Sequence, residues 1–126
     1  MEARAASRYI RQSPRKMRLV IDLIRGRSVG EAFAILRYSK KRAAEAVDKT
    51  LRSAVANARA KAEDAGDIVD VDELYVTEAY VNEGPRLKRW RAAAMGRAAP
   101  IRRPTSHVVV VVGTEASRLA GGDRKE

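Results

Sequence analysis

Cysteine is missing from all 126 residues, which excludes disulfide frameworks, thiolate metal sites and cysteine nucleophiles and suits a reducing compartment. Histidine occurs once, at His107, and tryptophan once, at Trp90. A lone histidine lacks the companion ligands of a zinc site, and no Ser-His-Asp spacing surrounds it. Glycine-rich phosphate loops are absent, and carboxylates such as Asp22 and Glu83 form no acid/base pair. No catalysis, metal or cofactor is expected. The longest apolar run, Val108 to Val112, falls far short of the ~20 residues of a membrane helix. Arg4 and Arg8 precede no apolar h-region, so neither a membrane span nor a secretory signal is expected.

What is present is positive charge. Twenty-six Lys and Arg against sixteen Asp and Glu give a formal net charge of +10, a balance that suits phosphate-rich partners. Its distribution says more than its sum. Residues 1–28 carry eight basic and two acidic groups, residues 29–83 eight and eleven, residues 84–107 seven and none, and the remainder three of each. Two separate segments therefore hold more than the whole excess. The stretch between them reads as ordinary globular surface.

Hydrophobic periodicity outlines one domain. Ser13-Pro14 is a helix start, Ser capping and Pro filling the first helical position. Met17, Val20, Ile21 and Ile24 then recur on one face, and Gly26 ends the helix. Ser28 and Glu31 read as a capping box for a second helix with Val29, Ala32, Phe33 and Leu36 inward. A third and longest helix is expected from near Ser39 or Lys40, lined by Val47, Leu51, Ala54, Val55, Ala58 and Ala62 and closed by Gly66. After an acidic loop from Asp64 to Glu73, Leu74–Val81 and Ser106–Val112 read as strands. The unbroken valines of the latter suggest burial on both faces. Ala3–Ile10 is a candidate third strand. The expected domain spans residues 1–112, and residues 113–126 read as a flexible tail.

Between the last two strands, Gly84-Pro85, Gly96, Pro100 and Pro104 exclude a helix. Arg and Lys alternate there with Leu87, Trp90, Met95 and Ile101. Arginine binds phosphate bidentately, and tryptophan offers a face to an unpaired base. A structureless basic linker is the rival reading, but linkers seldom carry a chain's single Trp among large apolar residues. A hairpin arm at about 82–106 fits better. Twelve residues per strand at ~3.3 Å each would reach about 40 Å. Such an arm has no core of its own and must become ordered against a partner. At the first helix, Arg15, Lys16 and Arg18 oppose the helix dipole, which favours acids at that end. Phosphate at the helix start would offset that cost.

These residues resemble the bacterial large-subunit ribosomal protein "L twenty-two" family. The likeness lies in Ser13–Val20 with Asp22–Gly26, Ala54-Val55-Ala56-Asn57-Ala58, Glu83-Gly84-Pro85, Lys88-Arg89, Gly96-Arg97-Ala98 and Thr105-Ser106-His107 with its valine strand. It runs in unbroken order from about residue 4 to Val112. The resemblance implies an α+β fold, three helices packed on a small three-stranded antiparallel sheet, with a long protruding β-hairpin. It implies a structural, non-enzymatic protein of the cytoplasmic ribosome. Its partners would be several domains of large-subunit ribosomal RNA, neighbouring large-subunit proteins and, transiently, the nascent peptide in the exit tunnel.

Carried over by position, the RNA-binding set is Arg8, Arg11, Ser13, Arg15, Lys16, Arg18 and Arg25 near the first helix. Arg86, Lys88, Arg89, Arg91, Arg97, Arg102 and Arg103 continue it along the arm, and Thr105, Ser106 and His107 complete it. The tunnel-lining set is Leu87, Lys88, Arg89, Trp90, Arg91, Ala92 and Ala93. This chain departs from the family at Ala92-Ala93-Ala94-Met95, where relatives carry Pro-Arg-Ala and a polar or basic residue. Three other classes fit less well, and the first, an RNA-modifying enzyme, would need a convergent His, Cys or carboxylate site that the sequence does not show. A DNA-binding architectural protein would need a groove-reading helix, and a membrane-active cationic protein would need an unbroken basic amphipathic face.

Overall fold

The computed structural model describes residues 2–66, 70–92 and 94–114. Three helices, α1 (Pro14–Ile24), α2 (Val29–Tyr38) and α3 (Ala43–Asp64), pack with an antiparallel sheet of β1 (Glu2–Ile10), β2 (Tyr75–Glu83) and β5 (Ser106–Gly113). The sheet order is β1-β5-β2. A separate ladder, β3 (Leu87–Ala92) with β4 (Ala98–Arg103), forms the arm. The described residues are thus an α+β fold with a protruding hairpin, as expected. Residues 67–69 of the acidic loop and residues 115–126 of the expected tail lie outside the described residues.

α1 begins where its sequence dictates. Ser13 is extended (φ −69°, ψ 142°), and its hydroxyl accepts the Lys16 N–H at 3.3 Å, with Pro14 at the first helical position. Met17, Val20, Ile21 and Ile24 are fully buried, and Gly26 turns the chain out at φ +79°, a conformation that costs Gly little. In α2 the Ser28 hydroxyl accepts the Glu31 N–H. The Glu31 carboxylate turns to Arg27 at 3.8 Å. α3 starts later than expected, at Ala43 and without a side-chain cap. Ser39 is used elsewhere: its N–H closes α2 on the Leu36 carbonyl, and its hydroxyl accepts the Lys41 N–H.

β5 is the centre of the molecule. Val108, Val110 and Val112 join one core cluster with Met17, Ile21, Ile24, Val47, Leu51, Leu74 and Val76. Burying each large apolar side chain contributes about 1.5–3 kcal/mol before entropy is counted. Val109 and Val111 are buried too, outside that cluster, with Ala6 and Tyr80, and Arg4 and Glu78, as their respective cross-strand neighbours. Burial on both faces thus follows the valine run. Helix side chains also reach the flanking strands. The Asn57 amide and Lys61 ammonium donate to the Arg4 and Glu2 carbonyls of β1. Arg25 donates twice to the Ala79 carbonyl of β2 and Arg18 once to that of Val81.

The arm's ladder is shorter than the sequence reading. Six pairs run from Leu87↔Arg103 to Ala92↔Ala98, roughly 20 Å at ~3.3 Å per residue. The rest of the arm is its kinked base and its tip. At the base, Pro85 and Pro104 lie between the two ladders, and proline has no N–H to donate. At the tip, Met95 (φ +64°) and Gly96 (φ +71°) reverse the chain.

A candidate RNA interface around the arm base

The base of the arm is tied to the sheet by residues the sequence offered as RNA contacts. The Thr105 hydroxyl donates to the Pro85 carbonyl and the Ser106 hydroxyl to that of Gln12, both at 2.6 Å. The two residues are 2% and 0% exposed. Both hydroxyls are thus spent on carbonyls of the protein itself, at the junction of arm and sheet. His107 Nδ1 accepts the Tyr9 N–H at 3.0 Å, so the proton of the neutral ring sits on Nε2. The two rings meet edge to face with centroids 4.9 Å apart. Tyr9 itself is at φ +59°, within the irregularity between Ser7 and Ile10 of β1. Gly84 is confined by this knot. A Cβ there would stand 2.5 Å from Thr105 Oγ1 and 3.1 Å from His107 Nε2. Its N–H donates to the Thr105 carbonyl.

Around this base the two basic segments converge. One open cleft of about 1170 Å³ is lined by Arg11, Gln12, Ser13, Lys16 and Leu19 from the chain around α1, and by Leu87, Arg89, Trp90, Arg91, Ile101, Arg103 and Pro104 from the arm. Lys41, Arg42 and Ala43 complete it. It holds seven cations and no acid among these residues. A smaller groove of about 370 Å³ lies between Ser13, Pro14, Arg15 and Arg18 and the arm residues Arg86, Arg102 and Pro104. Its one acid, Glu83, is already paired with Arg86 at 3.0 Å. The start of α1 therefore contributes to both grooves, Lys16 to one and Arg15 and Arg18 to the other.

Not every expected cation is equally available. Arg25 bonds the Ala79 carbonyl and Asp22 (2.9 Å), and Arg18 gives one N–H to the Val81 carbonyl. Both anchor α1 to β2. Arg8 and Arg11 are exposed, as are Arg15 and Lys16. On the arm, Arg86, Lys88, Arg89, Arg91, Ala92, Arg97, Arg102 and Arg103 are exposed and Leu87 is half-buried. Trp90 is 67% exposed. Ala93, expected on the tunnel side, lies outside the described residues.

The sequence reading missed Lys41 and Arg42. The signal was there, a Lys40-Lys41-Arg42 run, but segment charge averaged it against nearby acids such as Glu45 and Asp48. Among the described residues no group of three or more His, Asp or Glu side chains could hold a metal. No described helix is long and apolar enough to cross a membrane.

Residues 5–113 match the family model described as "Ribosomal protein L22p/L17e". The large ribosomal subunit protein uL22 of Halothermothrix orenii is 54% identical over 112 residues, covering 89% of this chain and 95% of that protein. Its namesake in Clostridium novyi is 53% identical over 116 residues, covering 92% and 100%. That of Solibacter usitatus is 54% identical over 112 residues, covering 89% and 96%. A match across nearly the whole chain, at this identity, carries the arm, the helices and the sheet together. The chain belongs to the ribosomal protein L22p/L17e family.

Proposed function

We propose that this chain binds ribosomal RNA through the grooves on both sides of its arm base and lines the nascent-peptide exit tunnel with the arm. As a member of its family it is a structural protein of the large ribosomal subunit, cytoplasmic and not an enzyme. One observation carries the RNA reading: cations from α1, the arm and the α2–α3 connector meet in a cleft whose lining includes no acid. Such a surface repels itself in the free protein and is relieved by phosphate. The arm's RNA contacts would be Arg86, Lys88, Arg89, Arg91, Arg97, Arg102 and Arg103. Near α1 they would be Arg8, Arg11, Arg15 and Lys16, with the outward N–H groups of Arg18.

An arm with nearly every side chain exposed gains little by folding back on its own domain, and it suits a place threaded through RNA. Leu87, Lys88, Arg89, Arg91 and Ala92 would then face the tunnel at one level or another, touching the nascent peptide, with Trp90 left to the cleft beside α1. Binding of several RNA domains at once would make the protein an assembly factor as well as a wall. Co-sedimentation with large subunits through a high-salt gradient tests the first part. A photo-crosslinker placed at Leu87 in assembled ribosomes tests the second, with crosslinks to nascent chains as the expected product. Absence of the protein from washed subunits sinks the first part, and crosslinks to RNA alone sink the second.

A further inference from the structure

The large cleft has a wall that neither basic segment supplies. Lys41 and Arg42, on the connector from α2 to α3, share it with Trp90 of the arm. The connector is held by its backbone: the Lys41 N–H goes to the Ser39 hydroxyl, and the Lys41 and Arg42 carbonyls accept the Ala44 and Glu45 N–H groups. The two side chains are exposed and take no part in that scaffold. In the adjoining groove Asp48 is already paired with Arg52 at 3.1 Å.

We propose that this cleft takes an unpaired RNA strand, one base stacked on Trp90 and the phosphates held by Lys41 and Arg42. This rests on the RNA-binding reading above and adds a third binding segment and a strand type to it. The mixture of side chains is the argument. A duplex presents phosphates and sugars and hides its base faces, so it would leave Trp90, Leu19 and Ile101 against polar backbone. An unpaired strand offers both a π-face and phosphates, and so matches an aromatic platform beside cations. Trp90 is 67% exposed and its cross-strand neighbour is Pro100, so the indole is not consumed by the core. The cleft, at about 1170 Å³, also exceeds the ~300–1,000 Å³ of a small-molecule pocket.

The chain has a single tryptophan, so its fluorescence reports on Trp90 alone. The full-length protein is titrated at fixed low salt with a short oligoadenylate and with an RNA duplex of equal length. Saturable quenching by the single strand and little by the duplex is expected. The double variant Lys41→Gln, Arg42→Gln should bind oligoadenylate about tenfold or more weakly. Its salt slope should be smaller by about 1.4, or ~0.7 for each single-strand phosphate deprived of its cation. Arg59→Gln, on α3 outside the cleft, should bind like the parent. Read by anisotropy of a dye-labelled oligoadenylate, since these variants lack the tryptophan, Trp90→Ala should weaken affinity on the order of ten- to a hundredfold, and Trp90→Phe much less. Melting curves that overlay the parent's distinguish weakened binding from impaired folding. Equal quenching by the duplex, or a double variant that binds like the parent, overturns the proposal and leaves the RNA-binding reading standing. A parent chain that binds neither RNA overturns both.

Discussion

The three-stranded sheet and the two-stranded arm use the same antiparallel hydrogen bonding and reach opposite ends. In the sheet, β5 has a neighbour on each side, and its valines pack against the helices through Val108, Val110 and Val112. In the arm, each strand has one neighbour, and all but a few side chains are exposed. An isolated two-stranded ladder is marginal in water. The sheet is held by the core it helps to bury, and the arm has no core of its own. Charge follows the same division, since residues 84–107 hold seven basic groups and no acid.

Ionic strength should separate the two regions most widely. If six to ten phosphates are neutralised, RNA affinity should fall about 10³–10⁵-fold between roughly 50 and 200 mM salt on duplex-like sites. A chain with Leu87–Arg103 replaced by a short turn should keep a cooperative melt by circular dichroism while its salt slope becomes shallow. Loss of the cooperative transition in that chain would erase the distinction. In the core, Ile21→Ala should remove about 2–5 kcal/mol of stability, read by denaturant titration. The same measurement on Ile101→Ala in the arm should show little change.

The junction comes next in size. Gly84→Ala places a methyl group 2.5 Å from Thr105 Oγ1, and overpacking of this kind costs about 1–3 kcal/mol. Thermal melts measure it, and pairing it with Thr105→Ser, which keeps the clash, against Thr105→Ala, which relieves it, identifies the cause. The smallest effects are of opposite sign. Arg18→Gln gives up the bond to the Val81 carbonyl and should destabilise by about 0.5–1.5 kcal/mol. Arg15→Gln and Lys16→Gln should leave stability unchanged or raise it by up to ~0.3–1 kcal/mol each, because they remove cations from the positive end of α1. All three should weaken RNA binding. Equal destabilisation at the three sites would mean that Arg15 and Lys16 serve the fold as Arg18 does.

Local signals carried most of the domain. Ser13-Pro14, Gly26 and the period of Met17, Val20, Ile21 and Ile24 fix α1 because a cap, a terminator and a stripe agree on the same boundaries. The valine run locates β5 because only a central strand can bury consecutive side chains. What stayed hidden depends on distance along the chain. Nothing near Thr105 reveals that Pro85 will accept its hydroxyl, and nothing near Arg25 reveals the Ala79 carbonyl. A charge count treats both arginines and hydroxyls as free. Lys41 and Arg42 become visible as neighbours of the arm only once the fold places them in one cleft with it. The ladder's true length was half legible: Pro85 and Pro104 bound it, but Pro100 lies within β4 and does not interrupt it.

One consequence follows from the side chains that reach the flanking strands of the sheet. Asn57 and Lys61 occupy carbonyls on β1, and Arg18 and Arg25 occupy carbonyls on β2. An open strand margin recruits further strands, from the same protein or another, and is a common route to aggregation. Here both margins are plugged by long polar side chains from helices, three of them positively charged, so an approaching strand finds acceptors taken and a like charge facing it. Strand addition is therefore disfavoured at the Glu2, Arg4, Ala79 and Val81 carbonyls, so the two outer strands of the sheet are guarded by the same side chains that fasten the helices to it.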